Sequence, residues 1–110
     1  EESSEIWLTI DQIAVAYCVP ERMTQGTFNL LLLATHPKHQ RQGYATHLLQ
    51  ALETKLMAKG HYLLLVETSA NPEYEAARSF YTRNHFQLEA TIRDFYQPGE
   101  HKLIYRKRIS

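Results

Sequence analysis

One cysteine, four glycines and no surplus of either charge sign mark what this 110-residue chain has little of. Cys18 stands alone, so neither a disulfide nor a thiolate metal cage forms within one chain. A reducing compartment, and with it a cytoplasmic location, is the simple expectation. Twelve Lys/Arg against twelve Asp/Glu leave no global field to gather nucleic acid or an anionic membrane. The longest unbroken aliphatic run, Leu30 to Ala34, has the length of a strand and is far too short for a membrane span. Neither a glycine-rich dinucleotide fingerprint nor a Walker lysine occurs. Internal repeats, low-complexity segments and linkers are also missing. Hydrophobic residues at 44% and charged residues at 22% are ordinary for a globular chain. One domain over residues 1–110 is the expectation. The first residue is Glu1 rather than Met, which reads as a processed chain or a fragment.

Patterning predicts the elements. Ile6 to Ile10 and Ile13 to Val19 read as strands about an Asp11-Gln12 turn, with Pro20 closing the second. Phe28 to Thr35, apolar on both faces, reads as a central strand that Pro37 stops. Ala45, Leu48, Leu49, Leu52 and Leu56 repeat at helical spacing, so Gly43 to Lys59 reads as a helix that Gly60 ends. His61 to Thr68 reads as a second buried strand. Asn71-Pro72-Glu73 reads as a helix start with a capping asparagine. Ala77, Phe80 and Tyr81 form that helix's apolar stripe, and Asn84 is expected to end it in the left-handed conformation. Phe86 to Tyr96 and Lys102 to Ile109 read as strands joined through Pro98-Gly99 in a type II turn. The order is β-β-β-α-β-α-β-β. Antiparallel meanders flank a central β-α-β crossover with parallel, right-handed strands. The class is α/β (α+β), and helices are expected to cover a sheet whose central strands are apolar on both faces.

Gln40-Arg41-Gln42-Gly43-Tyr44-Ala45 sits between a buried strand and an amphipathic helix. Such a loop leaves backbone N–H groups unpaired at the positive end of the helix dipole, which makes an anion site suited to phosphate. Gly43 allows close backbone approach, Ala45 adds little bulk, and Arg41 can add charge at the rim. A polar loop whose glycine only turns the chain fits the spacing equally well.

The run Leu33-Ala34-Thr35-His36-Pro37-Lys38-His39-Gln40-Arg41-Gln42-Gly43-Tyr44-Ala45-Thr46 resembles the acetyl-CoA-binding motif of the GNAT superfamily of N-acetyltransferases, with Gln40, Gly43 and Ala45 at its defining positions. Tyr74, Ala77, Arg78, Phe80, Tyr81 and Phe86 resemble the family's next helix and strand. Ile92 to Gly99 resembles one bacterial-type branch. The resemblance runs from about Ile6 to Ile109. It implies a GNAT-like mixed, mostly antiparallel sheet and transfer of an acetyl group from acetyl-CoA, as cosubstrate, to a primary amine of a small molecule or protein. A catalytically silent acyl-CoA-binding module is the alternative. It further implies that the amides of Gln40, Arg41, Gln42, Gly43, Tyr44 and Ala45 hold the CoA pyrophosphate, with the Thr46 hydroxyl beside them. The backbone of Leu33, Ala34 and Thr35 would pair with the pantetheine arm, and the Leu33 amide would polarise the thioester carbonyl. Tyr81 aligns with the tyrosine that protonates the leaving thiolate.

The family's acid, four positions before Leu33, is here Asn29, which cannot take a full proton but can hold a water. By simple alternation Asn29 shares a face with Leu31 and Leu33. Glu67 is the substitute base: a carboxylate in a largely apolar strand holds its proton more tightly. Pairing with an arginine such as Arg78 is the competing role for it. His36 titrates in a useful range, but its loop position favours solvent. His36, His39 and His47 lack a four-ligand metal set, so no metal is expected. Arg106-Lys107-Arg108 reads as edge protection rather than a nucleic-acid patch. No nucleic-acid or membrane partner is expected, and a homodimer is open. The resembled family usually begins with a strand and helices that wall the acceptor site, so the domain reads as N-terminally short. The acceptor side would fall to Thr24-Gln25-Gly26 and the Gln97 to Glu100 turn.

Overall fold

A computed structural model describes residues 4–110. In chain order it contains β1 (Ile6–Ile10), β2 (Ala14–Pro20), β3 (Thr27–Thr35), a 3-10 turn (Pro37–His39), α1 (Tyr44–Ala58), β4 (Leu63–Ser69), a second 3-10 turn (Pro72–Tyr74), α2 (Glu75–Arg83), β5 (Gln87–Gln97) and β6 (Glu100–Arg108). The strands follow the order β1-β2-β3-β4-β6-β5 in one six-stranded sheet, mostly antiparallel with a parallel β3–β4 pair. Two compact units divide the chain: the first runs to Leu64 and takes back Arg108–Ser110, and the second is Leu65–Lys107.

In the first unit, β1, β2 and β3 form an antiparallel meander. The start of β4 enters beside β3, where Tyr62 and Leu63 donate their N–H groups to Gly26 O at 2.9 and 3.1 Å. Leu48, Leu49, Leu52 and Leu56 of α1 are at most 3% exposed, as their helical spacing predicts. Each such burial contributes about 1.5–3 kcal/mol. On the strands, Ile6, Ala14, Ala16, Cys18, Phe28 and Leu30 are buried with them.

A β-bulge decides what β3 presents. Tyr17 pairs with Leu32 and Cys18 with Leu30, so Leu31 is the extra residue. The extra residue reverses the alternation. Leu33 shares a face with Ala16, and Leu30 with Cys18, whereas Asn29 pairs with Val19 and lies on the face of Tyr17 and Leu32. The expectation that Asn29 shares a face with Leu33 is therefore wrong. Helical cover is also one-sided within this unit. Leu31 and Leu32 are 55% and 41% exposed on a strand that reads as buried on both faces, and Trp7 of β1 is 54% exposed. Trp7 stacks on Tyr17 at 4.0 Å between ring centroids.

Cys18 has no exposure. Burial pushes its thiol from the ordinary 9.0 up to about 11. A raised native value means the unfolded chain ionises first as pH rises. The associated stability is complete below pH 9 and is lost as pH climbs through 11. Two units correspond to about 2.7 kcal/mol. Denaturant melts of the wild type are expected to lose about this much between pH 8 and 11, and Cys18→Ala to flatten that decline.

In the second unit, β5 and β6 make a hairpin through Pro98-Gly99. Gly99 has φ +87°, which the third position of the expected type II turn requires. Arg78 secures the start of α2: its Nη1 donates to Ser69 O at 2.8 Å and Asn71 O at 2.9 Å. The Ser69 hydroxyl donates to Glu100 Oε2 at 2.7 Å and accepts from Asn71 N–H at 3.1 Å. Asn71 makes no side-chain cap, and its backbone starts the 3-10 turn instead.

The end of α2 departs from expectation in one residue. Phe86 N–H reaches Tyr81 O at 2.9 Å and His85 N–H reaches Thr82 O at 3.1 Å, the bonds of a Schellman ending. The left-handed residue is His85, at φ +74°, and Asn84 stays at φ −96°. Asn84 instead spends its side chain on Phe80 O at 2.9 Å. His85 thus occupies a conformation that glycine adopts without cost. His85→Gly is expected to raise unfolding stability by about 0.5–1 kcal/mol, since the steric relief outweighs the added chain entropy. Urea melts check this.

Candidate active site

β3 delivers the chain to the loop. Its first four residues are buried, and the residues from Leu31 to Thr35 are exposed or half-buried. Ala34 is exposed and Leu33 and Thr35 are half-buried, and along one edge the three pair with Val15, Ala16 and Ala14 of β2. Pro37 breaks the strand into a 3-10 turn, capped by His36 Nδ1 accepting from Lys38 N–H at 3.1 Å. Gln40 Nε2 reaches back to Thr35 O at 3.4 Å.

The loop then alternates its handedness. Arg41 has φ +64° and Gly43 has φ +85°. Successive turns of this kind aim neighbouring N–H groups into one concavity. Gly43 is the N-cap of α1 and has no side chain to close it. The first helical bond runs from His47 N–H to Gly43 O at 2.9 Å. The N–H groups of Tyr44, Ala45 and Thr46 precede that bond and face the end of the helix dipole. A Cβ on Gly43 would meet no protein atom within 4 Å. The space over the loop is open, and the exposed side chains of Gln40, Arg41 and Gln42 border it. Backbone donors, a helix N-terminus and an open cradle fit a diphosphate. The ten residues expected to hold CoA, Leu33, Ala34, Thr35, Gln40, Arg41, Gln42, Gly43, Tyr44, Ala45 and Thr46, all lie in the first unit, along the end of β3, the loop and the start of α1.

The three residues expected at the chemical step fall in both units. Tyr81 belongs to the second. Its ring is half-buried beside Phe86 at 5.7 Å and Tyr105 at 6.0 Å. Burial pushes its hydroxyl above the usual tyrosine range, so it stays protonated and able to donate at neutral pH. Glu67 also belongs to the second unit. It is exposed, so the buried surroundings expected for it are missing. Its partner is Lys102, whose Nζ lies 2.9 Å from Glu67 Oε1 and 3.9 Å from the Phe95 ring centroid. The arginine considered for that pairing, Arg78, is the backbone staple described above.

Asn29, in the first unit, is only 6% exposed, and its Nδ2 donates to Glu21 Oε2 at 2.9 Å. Glu21 escapes a reading by motif because it lies eight residues away on the β2–β3 connection. The signal available in the sequence was Pro20, which ends β2 and places Glu21 opposite Thr27. Among the described residues no group of three or more His, Cys, Asp and Glu could hold a metal. Among the described residues no helix is long and apolar enough to cross a membrane.

A six-stranded mixed sheet, whose third strand feeds an anion-type loop at the head of α1, is the architecture of the acetyltransferases to which the chain is similar. The Acetyltransferase (GNAT) domain family matches residues 2–88, and the chain belongs to it. An acetyltransferase of the GNAT family from Desulfovibrio desulfuricans is 32% identical, with a TM-score of 0.90 over 96% of this chain and 68% of that one. The ribosomal-protein-S18-alanine N-acetyltransferase of Escherichia coli is 26% identical, with a TM-score of 0.76 over 96% of this chain and 68% of that one. An aminoglycoside 6'-N-acetyltransferase complexed with coenzyme A shares the fold at 13% identity and a TM-score of 0.84, over 97% of this chain and 74% of that one. No curated protein matches the chain.

Proposed function

We propose that this acetyltransferase-family chain moves the acetyl group of acetyl-CoA to a primary amine by direct attack. The observation that carries the reading is the loop at the head of α1, where Gly43 at φ +85° leaves its amide and those of the first helical turn open to an anion. In this reading the Gln40 to Ala45 amides and the Thr46 hydroxyl bind the diphosphate. The main chain of Leu33 and Thr35 holds the pantetheine arm, and the Leu33 N–H stabilises the oxygen that gains charge as the amine adds. Tyr81 gives its proton to the departing sulfur. Positioning of the two reactants contributes most of the acceleration.

Calorimetry with acetyl-CoA, then free-thiol release across an amine panel, tests the reading. The panel comprises an alanine-initiated peptide, a lysine peptide, a polyamine and an aminoglycoside. Cys18 is fully buried, so the thiol signal comes from CoA. Binding with turnover of at least one amine is expected. Binding without thiol release from any amine would favour a silent acyl-CoA-binding module. The Glu67–Lys102 ion pair lends that second reading its support, because it engages the expected base.

A further inference from the structure

The bulge in β3 puts Asn29 on the face that carries Trp7, Tyr17, Val19 and Leu32. On it Asn29 is an exception: a polar side chain, 6% exposed, on the strand that leads to Leu33. A buried amide is retained when it is hydrogen-bonded. Its Nδ2 donates to Glu21 Oε2 at 2.9 Å. Glu21 is itself fixed. Its N–H donates to Thr27 O at 2.9 Å, extending the β2–β3 ladder by one residue, and its carbonyl accepts from Thr24 Oγ1 at 2.9 Å. The pairing of Val19 with Asn29 and Pro20 with Phe28 puts Glu21 on the same face as Asn29. The side chain of Asn29 thus holds, at its tip, the carboxylate that its own type lacks.

Resting on the acetyltransferase reading, we infer that Glu21 is the proton acceptor of this site and that Asn29 is the residue that positions it. Four residues of strand separate Asn29 from Leu33, roughly 13 Å at the usual rise, so the proton travels by water. The acceptor ammonium gives one proton through that water to the Glu21 carboxylate. The neutral nitrogen then forms the C–N bond, the C–S bond breaks, and the nitrogen's surplus proton leaves as sulfur takes one up. The other charged or titratable groups nearby are Glu5, which accepts the Tyr17 hydroxyl at 2.7 Å, Tyr17 itself, and Arg22, next in the chain.

The test compares the full chain with Glu21→Gln, Asn29→Ala and the exchange pair Glu21→Gln/Asn29→Asp. Readouts are kcat/KM against pH, with the best amine of the panel, and acetyl-CoA affinity by calorimetry. Glu21→Gln is expected to lower kcat/KM about 30-fold at neutral pH, less than the 10²–10⁴ of a base in direct contact. Its acid limb should move up to the pH at which the free amine loses its own proton, with acetyl-CoA affinity kept within about twofold. Asn29→Ala should give a smaller loss of the same kind. The exchange pair, which returns a carboxylate to the strand, should recover most of the limb. An active wild type whose rate and pH profile survive Glu21→Gln overturns the assignment and leaves the acetyltransferase reading intact. Parallel loss of acetyl-CoA affinity overturns it as well, because Glu21 is then a structural residue. A wild type that binds no acetyl-CoA and turns over no amine overturns both.

Discussion

Gly43→Val is expected to weaken acetyl-CoA binding by at least about 10²-fold, the loss of one or two charge-assisted hydrogen bonds at about 1.5–3 kcal/mol each. The geometry separates this from a folding defect. At φ +85° any side chain is strained, and a β-branched one most of all. Yet the new Cβ meets no protein atom within 4 Å. The cost to the free protein is therefore conformational alone, about 1–2 kcal/mol. The cost to the complex adds the methyl groups that fill the space a diphosphate would occupy. Gly43→Ala should fall between, since it adds one carbon and less strain. Calorimetry for affinity and urea melts for stability report the two costs separately. Affinity that survives Gly43→Val would move the anion site away from this loop and remove the main support for CoA binding.

The contrast between Gly43 and Asn29 explains how far the sequence could be read. The loop was legible because its function resides in the backbone. Glycine at an N-cap, helical leucines behind it and a strand ahead of it are local facts, and they determine where the N–H groups point. The elements followed from the same kind of local pattern, with shifts of a residue or two at their ends. Asn29 was misplaced because a strand's faces were assigned by strict alternation. One extra residue at Leu31 reverses that alternation, and nothing in five consecutive aliphatic residues signals it. The partner of Glu67 was not legible, and Glu21 was not singled out, for a related reason. Which cation a carboxylate meets, or which amide holds it, depends on neighbours in space. Lys102 lies 35 positions from Glu67 in the chain, and the partner of Asn29 comes from a connection with no motif. His85 shows a milder case: the ending after Asn84 was correctly located, but the hydrogen bonds of Phe86 and His85 put the left-handed turn one residue later.

Tyr81→Phe is expected to lower kcat about 10²-fold while acetyl-CoA affinity changes by less than about twofold. The substitution removes one oxygen and keeps the ring, so contacts with Phe86 and Tyr105 persist. Burial raises the hydroxyl's ionisation above the ordinary tyrosine value. Two consequences distinguish an acid from a packing residue. The first is in the pH profile. A donor must be protonated, so Tyr81 sustains kcat at neutral pH and loses the ability only well into the alkaline range. Tyr81→Phe should remove that alkaline limb along with the rate. The second is in stability. A native value above the unfolded one stabilises the fold below about pH 10, and this contribution fades as pH rises through the native value. Tyr81→Phe should therefore melt like the wild type at pH 7 and be less sensitive to alkali. A leaving group that needs no proton offers a direct check: with an acetyl thioester of a more acidic thiol, the gap between Tyr81→Phe and wild type should narrow. If kcat is unchanged with acetyl-CoA itself, Tyr81 is a packing residue and the sulfur takes its proton from water.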